Sequence, residues 1–349
     1  MSSNIIKHQL TLDPANSLAP TRSDTGVAHD AEPKEAQPVA NSKDDSTGTL
    51  RFIGTATTIL QWAGINIMTD PNFLHAGDHV HLGPGVTGIR LTNPAVELEE
   101  LPAIHTVLLT HYHADHFDQK VEEQLRRDLP IITTPHAREH LADKKAGAEK
   151  FEQVYGLDRF ENAVLNVKSP STNSATGAKQ AAIKVTAMPG KHVPPGPLGV
   201  ANDILGAVPP VNGWMLELGQ KTTDSEEPMD GFDCGYRIYI SGDTLMIDDL
   251  HEIPKLYGEH KIDLMLIHLG GTTIPGPNLP LLMVTMDAKQ GVQLMQLINA
   301  DLTIPIHFDD YDVFQSPRKD FEDLVRSSGW EEKVKYLDRG ERFEFELRK

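Results

Sequence analysis

A hexapeptide, His-Tyr-His-Ala-Asp-His, occupies residues 111–116 and limits the fold of this chain more than any other segment. It directly follows residues 104–110, a run whose length and β-branched content are typical of a buried strand. Three imidazoles and a carboxylate therefore project from one strand-to-loop corner, more than one tetrahedral ion requires. The alternative is a chance cluster on a solvated loop, since the chain contains 16 histidines. The spacing of these side chains after a buried strand favours a site for two adjacent metal ions.

Length and composition allow one large domain with a sizeable core. The chain has 349 residues, of which 39% are hydrophobic, and this suits a single unit of roughly 300 residues. Residues 13–47 contain almost no large apolar side chain, so burial there cannot offset the entropy lost on ordering. We therefore predict a disordered N-terminal tail at residues 1–47 and one domain at residues 48–349.

Net charge and cysteine content limit the possible binding partners of the protein and its cellular compartment. The net charge of −18 repels phosphate backbones and anionic bilayers, so we expect no nucleic-acid partner and no stable membrane insertion. The chain has neither an apolar run long enough to span a bilayer nor the apolar core of a secretory signal. Its single cysteine, Cys234, suits a reducing compartment. These features predict a cytoplasmic protein that acts on a small-molecule substrate, and they are compatible with a homo-oligomer.

Apolar runs and amphipathic stretches alternate along the chain, which is typical of an α/β protein. Predicted strands lie at residues 50–53, 57–60, 65–69, 104–110, 131–134, 182–188, 214–218, 236–241, 263–269, 302–306 and 343–347. Predicted helices lie at residues 119–129, 245–257, 287–299 and 317–327. Residues 194–210, which are rich in proline, glycine and apolar side chains, are a candidate lid.

Polar residues that end later strands can complete the metal site, because strand ends converge on one rim of a sheet. His192, Asp243 and His307 each follow an apolar run with glycine or proline close by. For His192, a turn histidine without a metal is the alternative. Asp70 either caps a turn with the following proline or orients a ligand. His268 either lines the pocket or is a satisfied histidine in the core.

These residues together resemble the metallo-β-lactamase-fold hydrolases, whose pattern is H-x-H-x-D-H, a later histidine, a glycine-preceded aspartate and a final histidine. The resemblance extends from Thr49 to the C-terminus. It is closest to the branch of ascorbate-6-phosphate lactonase-like and N-acylphosphatidylethanolamine phospholipase D-like proteins, through Ile67-Met68-Thr69-Asp70-Pro71 and the Ile-Pro-Ile-His segment that ends at His307. It implies a four-layer αβ/βα sandwich, with two mixed β-sheets flanked by helices and a metal site at the sheet edge.

The same resemblance implies a ligand set for two divalent ions. It assigns His111, His113 and His192 to one ion, Asp115, His116 and His307 to the second, and Asp243 as the bridge between them. Zn²⁺ is the first expectation, with Mn²⁺ or iron as alternatives. Such a pair lowers the pKa of bridging water, so that hydroxide is the nucleophile near neutral pH. Asp115 would orient it or relay its proton, and Asp70 would fix the tautomer of a ligand histidine.

The substrate is less constrained than the metal site. Residues 270–283 and the stretch after His192 are apolar and rich in proline and glycine, which is expected of an enclosed pocket with few polar anchors. We therefore predict ring opening of a cyclic ester or amide. Phosphodiester hydrolysis, a mononuclear iron dioxygenase and a non-catalytic interaction protein are the alternatives. Relatives carry Gly-His-Ala where this chain has Gly54-Thr55-Ala56, so substrate contacts are expected to differ.

Overall fold

A computed structural model describes residues 5–22, 45–82, 86–143, 149–169, 179–194, 196–206, 208–222, 229, 231–274 and 282–348. The strands are β1 Ile6–Leu12, β2 Thr47–Gly54, β3 Thr57–Trp62, β4 Ile65–Thr69, β5 His79–His81, β6 Thr87–Ile89, β7 Thr106–Leu108, β8 Ile131–Thr133, β9 Val154–Gly156, β10 Asn162–Val167, β11 Lys179–Met188, β12 Gly213–Thr222, β13 Asp233–Ile240, β14 Leu264–His268, β15 Thr273–Ile274, β16 Leu282–Met283, β17 Leu302–Ile306 and β18 Arg342–Glu346. The α-helices are α1 Gln119–Gln124, α2 Pro135–Ala142, α3 Pro197–Leu205, α4 Glu252–Tyr257, α5 Ala288–Ile298 and α6 Arg318–Ser327.

Two mixed seven-stranded sheets form the centre of the part of the chain that the structure describes. One has the order β1-β10-β11-β12-β13-β14-β17 and the other the order β18-β2-β3-β4-β7-β8-β9. In the first sheet, β13, β14 and β17 run parallel, whereas β10 to β13 are antiparallel neighbours. In the second sheet, β4, β7 and β8 run parallel. The two mixed sheets predicted from the sequence are thus confirmed.

Apolar side chains of both sheets meet in one shared core. Trp62 and Ile67 of the second sheet pack there with Trp214 and Leu266 of the first. The opposite face of the first sheet packs against α4, α5 and α6, and the opposite face of the second sheet packs against α1 and α2. Helices therefore cover both outer faces, and the layers follow the predicted order of helix, sheet, sheet and helix.

The predicted disordered tail is wrong for its first part, because Ile6–Leu12 forms an edge strand. β1 pairs in parallel with β10, with Leu10 opposite Leu165. Side chains alternate between the two faces of a strand, and here Leu10 and Leu12 are buried in the shared core while their neighbours Gln9 and Thr11 are exposed. The sequence showed no local partner for this strand, since β10 lies about 150 residues away. Residues 1–4 and 23–44 of the predicted tail lie outside the described residues.

We expect Leu10→Ala to lower the free energy of unfolding by about 2–3 kcal/mol, because it removes a buried side chain and leaves a cavity. Gln9→Ala, on the exposed face of the same strand, should change it by less than about 0.5 kcal/mol. Urea denaturation followed by circular dichroism measures both. Equal stability of the two variants would show that β1 contributes no packing in solution.

Several predicted helices are shorter in the structure. α1 begins as predicted after Asp118, whose Oδ1 accepts a hydrogen bond from Val121 N at 2.8 Å, but it ends at Gln124. The predicted helix at 245–257 is a 3₁₀ turn, Asp248–His251, followed by α4. The candidate lid contains α3, which glycines with positive φ bound at both ends. No helix among the described residues is long and apolar enough to cross a membrane.

Candidate metal centre

The hexapeptide begins where the chain leaves the second sheet. β7 is buried between β4 and β8, which explains the apolar run before the histidines. Thr110 then donates from its backbone N to Asp70 Oδ1 at 2.7 Å and from its hydroxyl to the same oxygen at 3.0 Å. The next residues turn back, since the backbone N of His116 and of Phe117 both donate to His113 O. This turn directs the hexapeptide side chains to one edge of the sheet.

The other predicted ligands come from the first sheet. β11, β13, β14 and β17 all run in the same direction, so their carboxyl ends lie at one edge. His192 follows β11, Asp243 follows β13, and His307 follows β17. All three are buried. The carboxyl-terminal edges of the two sheets therefore bring these side chains against the hexapeptide.

One group of side chains lies at the junction of the two sheets. The Nε2 atom of His116 lies 3.1 Å from Nε2 of His307 and 3.3 Å from Oδ1 of Asp243. The Nε2 atom of His307 lies 3.4 Å from Oδ2 of Asp115. Ligand atoms of these four residues all lie within 4.8 Å of one another. This group contains the predicted second-site ligands and the predicted bridge.

A second group adjoins it and shares Asp115. His111, His113 and Asp115 offer ligand atoms within 4.8 Å of one another. The ring of His192 lies 4.6 Å from that of His111 and 6.2 Å from that of His113, measured between centroids. The structure thus gathers all seven residues, although which ion each one binds stays a prediction.

Hydrogen bonds orient several of these side chains. Nδ1 of His192 donates to Val284 O at 2.9 Å, and Nδ1 of His307 donates to Leu269 O at 2.7 Å. Each bond leaves Nε2 as the free ligand atom, which is how metal-binding histidines are held. Thr285 Oγ1 donates to Asp243 Oδ2 at 2.9 Å, so Oδ1 of Asp243 faces the cluster.

Unsatisfied polar atoms show that the cluster fits a metal ion. His111 Nε2, His192 Nε2 and Asp243 Oδ1 are buried and have no hydrogen-bond partner among the described residues. Burial of such atoms is costly unless something pairs with them. Imidazole nitrogen and carboxylate oxygen are the ligands that Zn²⁺ and related divalent ions take in proteins.

Electrostatics favour the same conclusion. Burial raises the pKa of Asp243, but His307 and His116 outweigh it and hold that pKa well below its usual range. Burial lowers the pKa of His192 to about 4 and that of His111 well below its usual value. Ionised carboxylates and neutral imidazoles are the protonation states that metal ligands need. Burial also lowers the pKa of His116, yet Asp243 and Asp115 raise it well above normal, so the local field favours a positive charge here.

Asp70 and His268 lie behind the cluster. Asp70 is fully buried with φ of +35°, and its Oδ2 lies 3.5 Å from His116 Nδ1 and 3.5 Å from His268 Nε2. Burial raises the pKa of Asp70, but the two histidines that face its carboxylate outweigh that effect and lower the pKa. His268 also lies 3.3 Å from Ser241 Oγ through its Nδ1. In this arrangement His268 contacts Asp70, and it is not among the described residues that line the pocket beside the cluster.

A small pocket opens against the cluster. His113, Asp115, His192 and Asp243 form its polar side. The remaining described lining residues are Leu82, Val86, Val208, Thr272, Ile274, Val284 and Thr285. Val208 belongs to the predicted lid, and Thr272 and Ile274 belong to the predicted loop at 270–283, of which residues 275–281 lie outside the described part of the chain.

Sequence reasoning missed two residues close to the centre. Thr285 holds Asp243 in place, and Arg90 is a fully buried cation beside the turn of His307. Neither lies in a motif or at the end of a predicted strand. The only available signal was an arginine within an otherwise loop-like stretch, and this does not distinguish a buried arginine from a solvated one.

Two mixed sheets between helices, with a buried histidine and aspartate cluster at their edge, define the class of metallo-β-lactamase-fold proteins. Residues 65–308 match the family model described as the beta-lactamase superfamily domain, and the chain belongs to this family. The chain is therefore a member of the metallo-β-lactamase superfamily of metal-dependent hydrolases.

Relatives carry the same general description. The chain is 25% identical over 266 residues to a UPF0173 metal-dependent hydrolase of Archaeoglobus fulgidus, covering 76% of this chain and 91% of that protein. It is 23% identical over 246 residues to the corresponding protein of Thermococcus onnurineus, covering 70% and 83% of the two chains. The lactonase-like branch, the metal and the bond cleaved stay predictions.

Solved structures share the fold. An isothiocyanate hydrolase from Delia radicum gut bacteria superimposes with a TM-score of 0.61 at 17% identity, covering 85% of this chain and 99% of that one. A possible metal-dependent hydrolase from Veillonella parvula gives a TM-score of 0.63 at 17% identity, with 85% and 99% covered. At this identity the likeness confirms the predicted fold and nothing finer.

Proposed function

We propose that the protein is a hydrolase with two divalent metal ions that opens a neutral cyclic ester or amide. The observation that carries this proposal is the pocket against the cluster. Its walls are apolar apart from two threonines and the cluster residues, and its described lining includes no lysine or arginine. Small-molecule sites have this composition when few polar groups fix a largely apolar ligand.

The pocket argues against a phosphodiester substrate. A phosphodiester anion loses strong hydration when it enters an apolar site. Beyond the metal ions that can coordinate such an anion, proteins usually compensate with arginine or lysine. Leu82, Val86 and Val284 offer no such group. A neutral lactone or lactam avoids that cost, and its negative charge develops only as the carbonyl is attacked.

The ligands would divide as the resemblance implies. His111, His113 and His192 would hold one ion, Asp115, His116 and His307 the other, and Asp243 would lie between them. When bound, the two ions would supply Lewis acidity and lower the pKa of water, so that hydroxide is available near neutral pH. The chain itself holds the carboxylates ionised and excludes bulk water through the apolar walls of the pocket.

Asp115 is our candidate for handling the proton. Its carboxylate lines the pocket, and although burial raises its pKa, His113 and His116 outweigh that effect and hold it well below its usual range. During ring opening, the oxygen of water bonds to the carbonyl carbon as the bond to the ring oxygen or nitrogen breaks. That leaving atom must gain a proton. Asp115 can orient the attacking water and relay its proton to the leaving atom.

The test is a substrate panel with metal-reconstituted protein. It contains lactones and lactams of several ring sizes, isothiocyanates, which the name of one fold neighbour suggests, and the anionic ester bis(p-nitrophenyl) phosphate. We expect kcat/KM for the best neutral cyclic substrate to exceed that for the phosphodiester by about tenfold or more, since desolvating the anion costs at least about 1–3 kcal/mol.

Two controls decide between the alternatives. A preference for the phosphodiester would replace ring opening with phosphodiester hydrolysis, and oxygen consumption with iron would indicate a dioxygenase. Val86→Lys places a cation in the pocket wall. It should lower turnover of neutral substrates and raise the relative rate with the phosphodiester if the lack of positive charge determines selectivity.

A further inference from the structure

We propose that Arg90 is a positioning residue of the metal centre. It stabilises the conformation of the turn that carries His307. Arg90 directly follows β6, the second strand of the hairpin that β5 and β6 form, and nothing in its local sequence marks it for this role. The inference rests on the assignment of His307 as a metal ligand in the proposed function. It concerns metal binding alone and does not depend on which bond the protein cleaves.

The side chain of Arg90 is completely buried, which is unusual for an arginine. Its side chain is 0% exposed, and Asp310, which it faces at 3.8 Å, is 1% exposed. A buried charge is costly unless hydrogen bonds and a counter-charge compensate it. The guanidinium donates to Thr55 Oγ1, to Asn72 Oδ1 at 2.8 Å and to Thr92 O at 2.9 Å. Its planar fork therefore connects its own segment to the segments of Thr55 and Asn72, a geometry that the point charge of lysine does not reproduce.

Thr55, one of these partners, contacts the turn of His307 directly. The backbone N of His307 donates to Thr55 O at 2.8 Å. The backbone N of Thr55 donates to Asp310 Oδ2 at 2.9 Å. Thr55 thus lies between Arg90 and His307, and Asp310, three residues after His307, closes the network from the other side.

The turn of His307 and its contact residue Thr55 have backbone conformations that are unfavourable without stabilising contacts. His307 has φ of +61°, Asp309 has +56° and Thr55 has +50°. Residues other than glycine adopt this region only where the surrounding structure determines it. Relaxation of the turn would rotate the His307 ring away from His116, to which its Nε2 now lies at 3.1 Å.

The same arginine also supports the opposite side of the centre. Asn72, which accepts from Arg90, donates from its backbone N to Thr57 Oγ1 at 2.9 Å. That hydroxyl in turn donates to Asp70 O at 2.7 Å. Arg90 therefore connects the turn of His307 with the segment of Asp70, and both segments contact His116.

The hairpin that carries Arg90 also forms part of the pocket wall. Leu82 and Val86 line the pocket, and the hairpin docks on the chain that follows His307. Leu91 N donates to Asp310 O at 2.8 Å, and Ile89 N donates to Asp312 Oδ1 at 2.7 Å. The pocket wall and the ligand turn are thus one connected unit, with Arg90 as its buried centre.

The experiment measures metal binding in Arg90→Met and Arg90→Lys. Competition with a chromophoric chelator gives the Zn²⁺ dissociation constants, and the absorption spectrum of the Co²⁺ form reports ligand geometry. We expect the weakest-bound ion to lose affinity by about tenfold or more in Arg90→Met, the size of effect seen when a group that orients a ligand is removed. Arg90→Lys keeps the charge but not the fork, so its loss should be intermediate.

Arg237→Met is the matched control. Arg237 also pairs with a buried carboxylate, Glu217, at 3.0 Å, but it lies six residues before Asp243 along β13, and its side chain is 11% exposed. The affinity of the Arg237→Met variant for Zn²⁺ should stay within about twofold of wild type, because the ion pair of Arg237 contacts none of the proposed metal ligands. If Arg90→Met fails to fold, Arg90→Lys alone decides the question.

A double-mutant cycle with His307→Ala separates the outcomes. If Arg90 acts through His307, Arg90→Met should cause little further loss in the His307→Ala background. Unchanged affinity in folded Arg90 variants, or fully additive losses, would overturn the inference while leaving the ligand assignment intact. If His307→Ala itself binds Zn²⁺ like wild type, the ligand assignment fails and this inference fails with it. Wild-type metal binding without ring opening would refute only the proposed reaction.

Discussion

Asp243→Ala should abolish hydrolysis, with a loss of about a thousandfold or more, and should lower the bound metal from the two ions that we propose. Its Oδ1 lies between the two histidines of the second site, 3.3 Å from His116 Nε2 and 3.5 Å from His307 Nδ1. Metal ions stabilise a transition state by several kcal/mol, and each 1.36 kcal/mol corresponds to a factor of ten. Elemental analysis and steady-state kinetics on the same preparation measure both effects.

The control for this variant is Asp248→Ala, which also removes one negative charge from the segment after β13. Asp248 is exposed in a 3₁₀ turn, so metal content and rates should match the wild type. Circular dichroism separates loss of metal from loss of fold. A folded Asp243→Ala protein that keeps two ions and normal turnover would show that Asp243 is no bridge and that the proposed division of ligands is wrong.

Asp243 also shows why so much of the site could be predicted from the sequence. It follows a buried strand, and so do His111, His192 and His307, and buried strands are visible as short apolar runs. Once the strands are known, the polar residue at each carboxyl end is a candidate, because parallel strands end at one edge. Each residue of the cluster can therefore be recognised from its local sequence, even though the residues are far apart along the chain.

Other parts of the molecule carry no such local signal. β1 is a seven-residue strand whose partner, β10, lies far along the chain, and the polar residues that follow it suggested a disordered tail. The bond from Thr55 to Asp310 joins residues 255 positions apart. Each residue in that pair looks like an ordinary turn residue by itself. Only tertiary structure reveals that they enclose a buried arginine.

His268 lies between these two cases. It ends β14, and the cluster residues likewise lie at strand ends, so the sequence left a residue that lines the pocket and a satisfied core histidine as open alternatives. In the structure its Nε2 faces Asp70 and its Nδ1 faces Ser241. Whether the ring lines the pocket or lies in the core depends on how the two sheets pack against each other, and the sequence pattern does not specify that packing.

Asp70→Asn should weaken binding of the ion held by His116 by up to about a hundredfold and should lower turnover accordingly. The amide keeps an oxygen for Thr110, which donates to Oδ1 at 2.7 Å. It loses the negative charge 3.5 Å from His116 Nδ1, and that charge fixes the tautomer and basicity of a ligand histidine. Zn²⁺ titration and the pH dependence of turnover measure the change.

The comparison between Asp70→Asn and Thr110→Val separates orientation of a ligand from simple support of a turn. Thr110→Val removes the hydroxyl that donates to Asp70 Oδ1 at 3.0 Å and lies 3.0 Å from His111 Nδ1, but it leaves the carboxylate of Asp70 in place. If Asp70 only caps the turn before its proline, Asp70→Asn should lose stability but little affinity for Zn²⁺, and no more affinity than Thr110→Val. If Asp70 orients His116, Asp70→Asn should lose far more affinity than Thr110→Val at comparable stability, because only the first change removes the charge that faces the ligand.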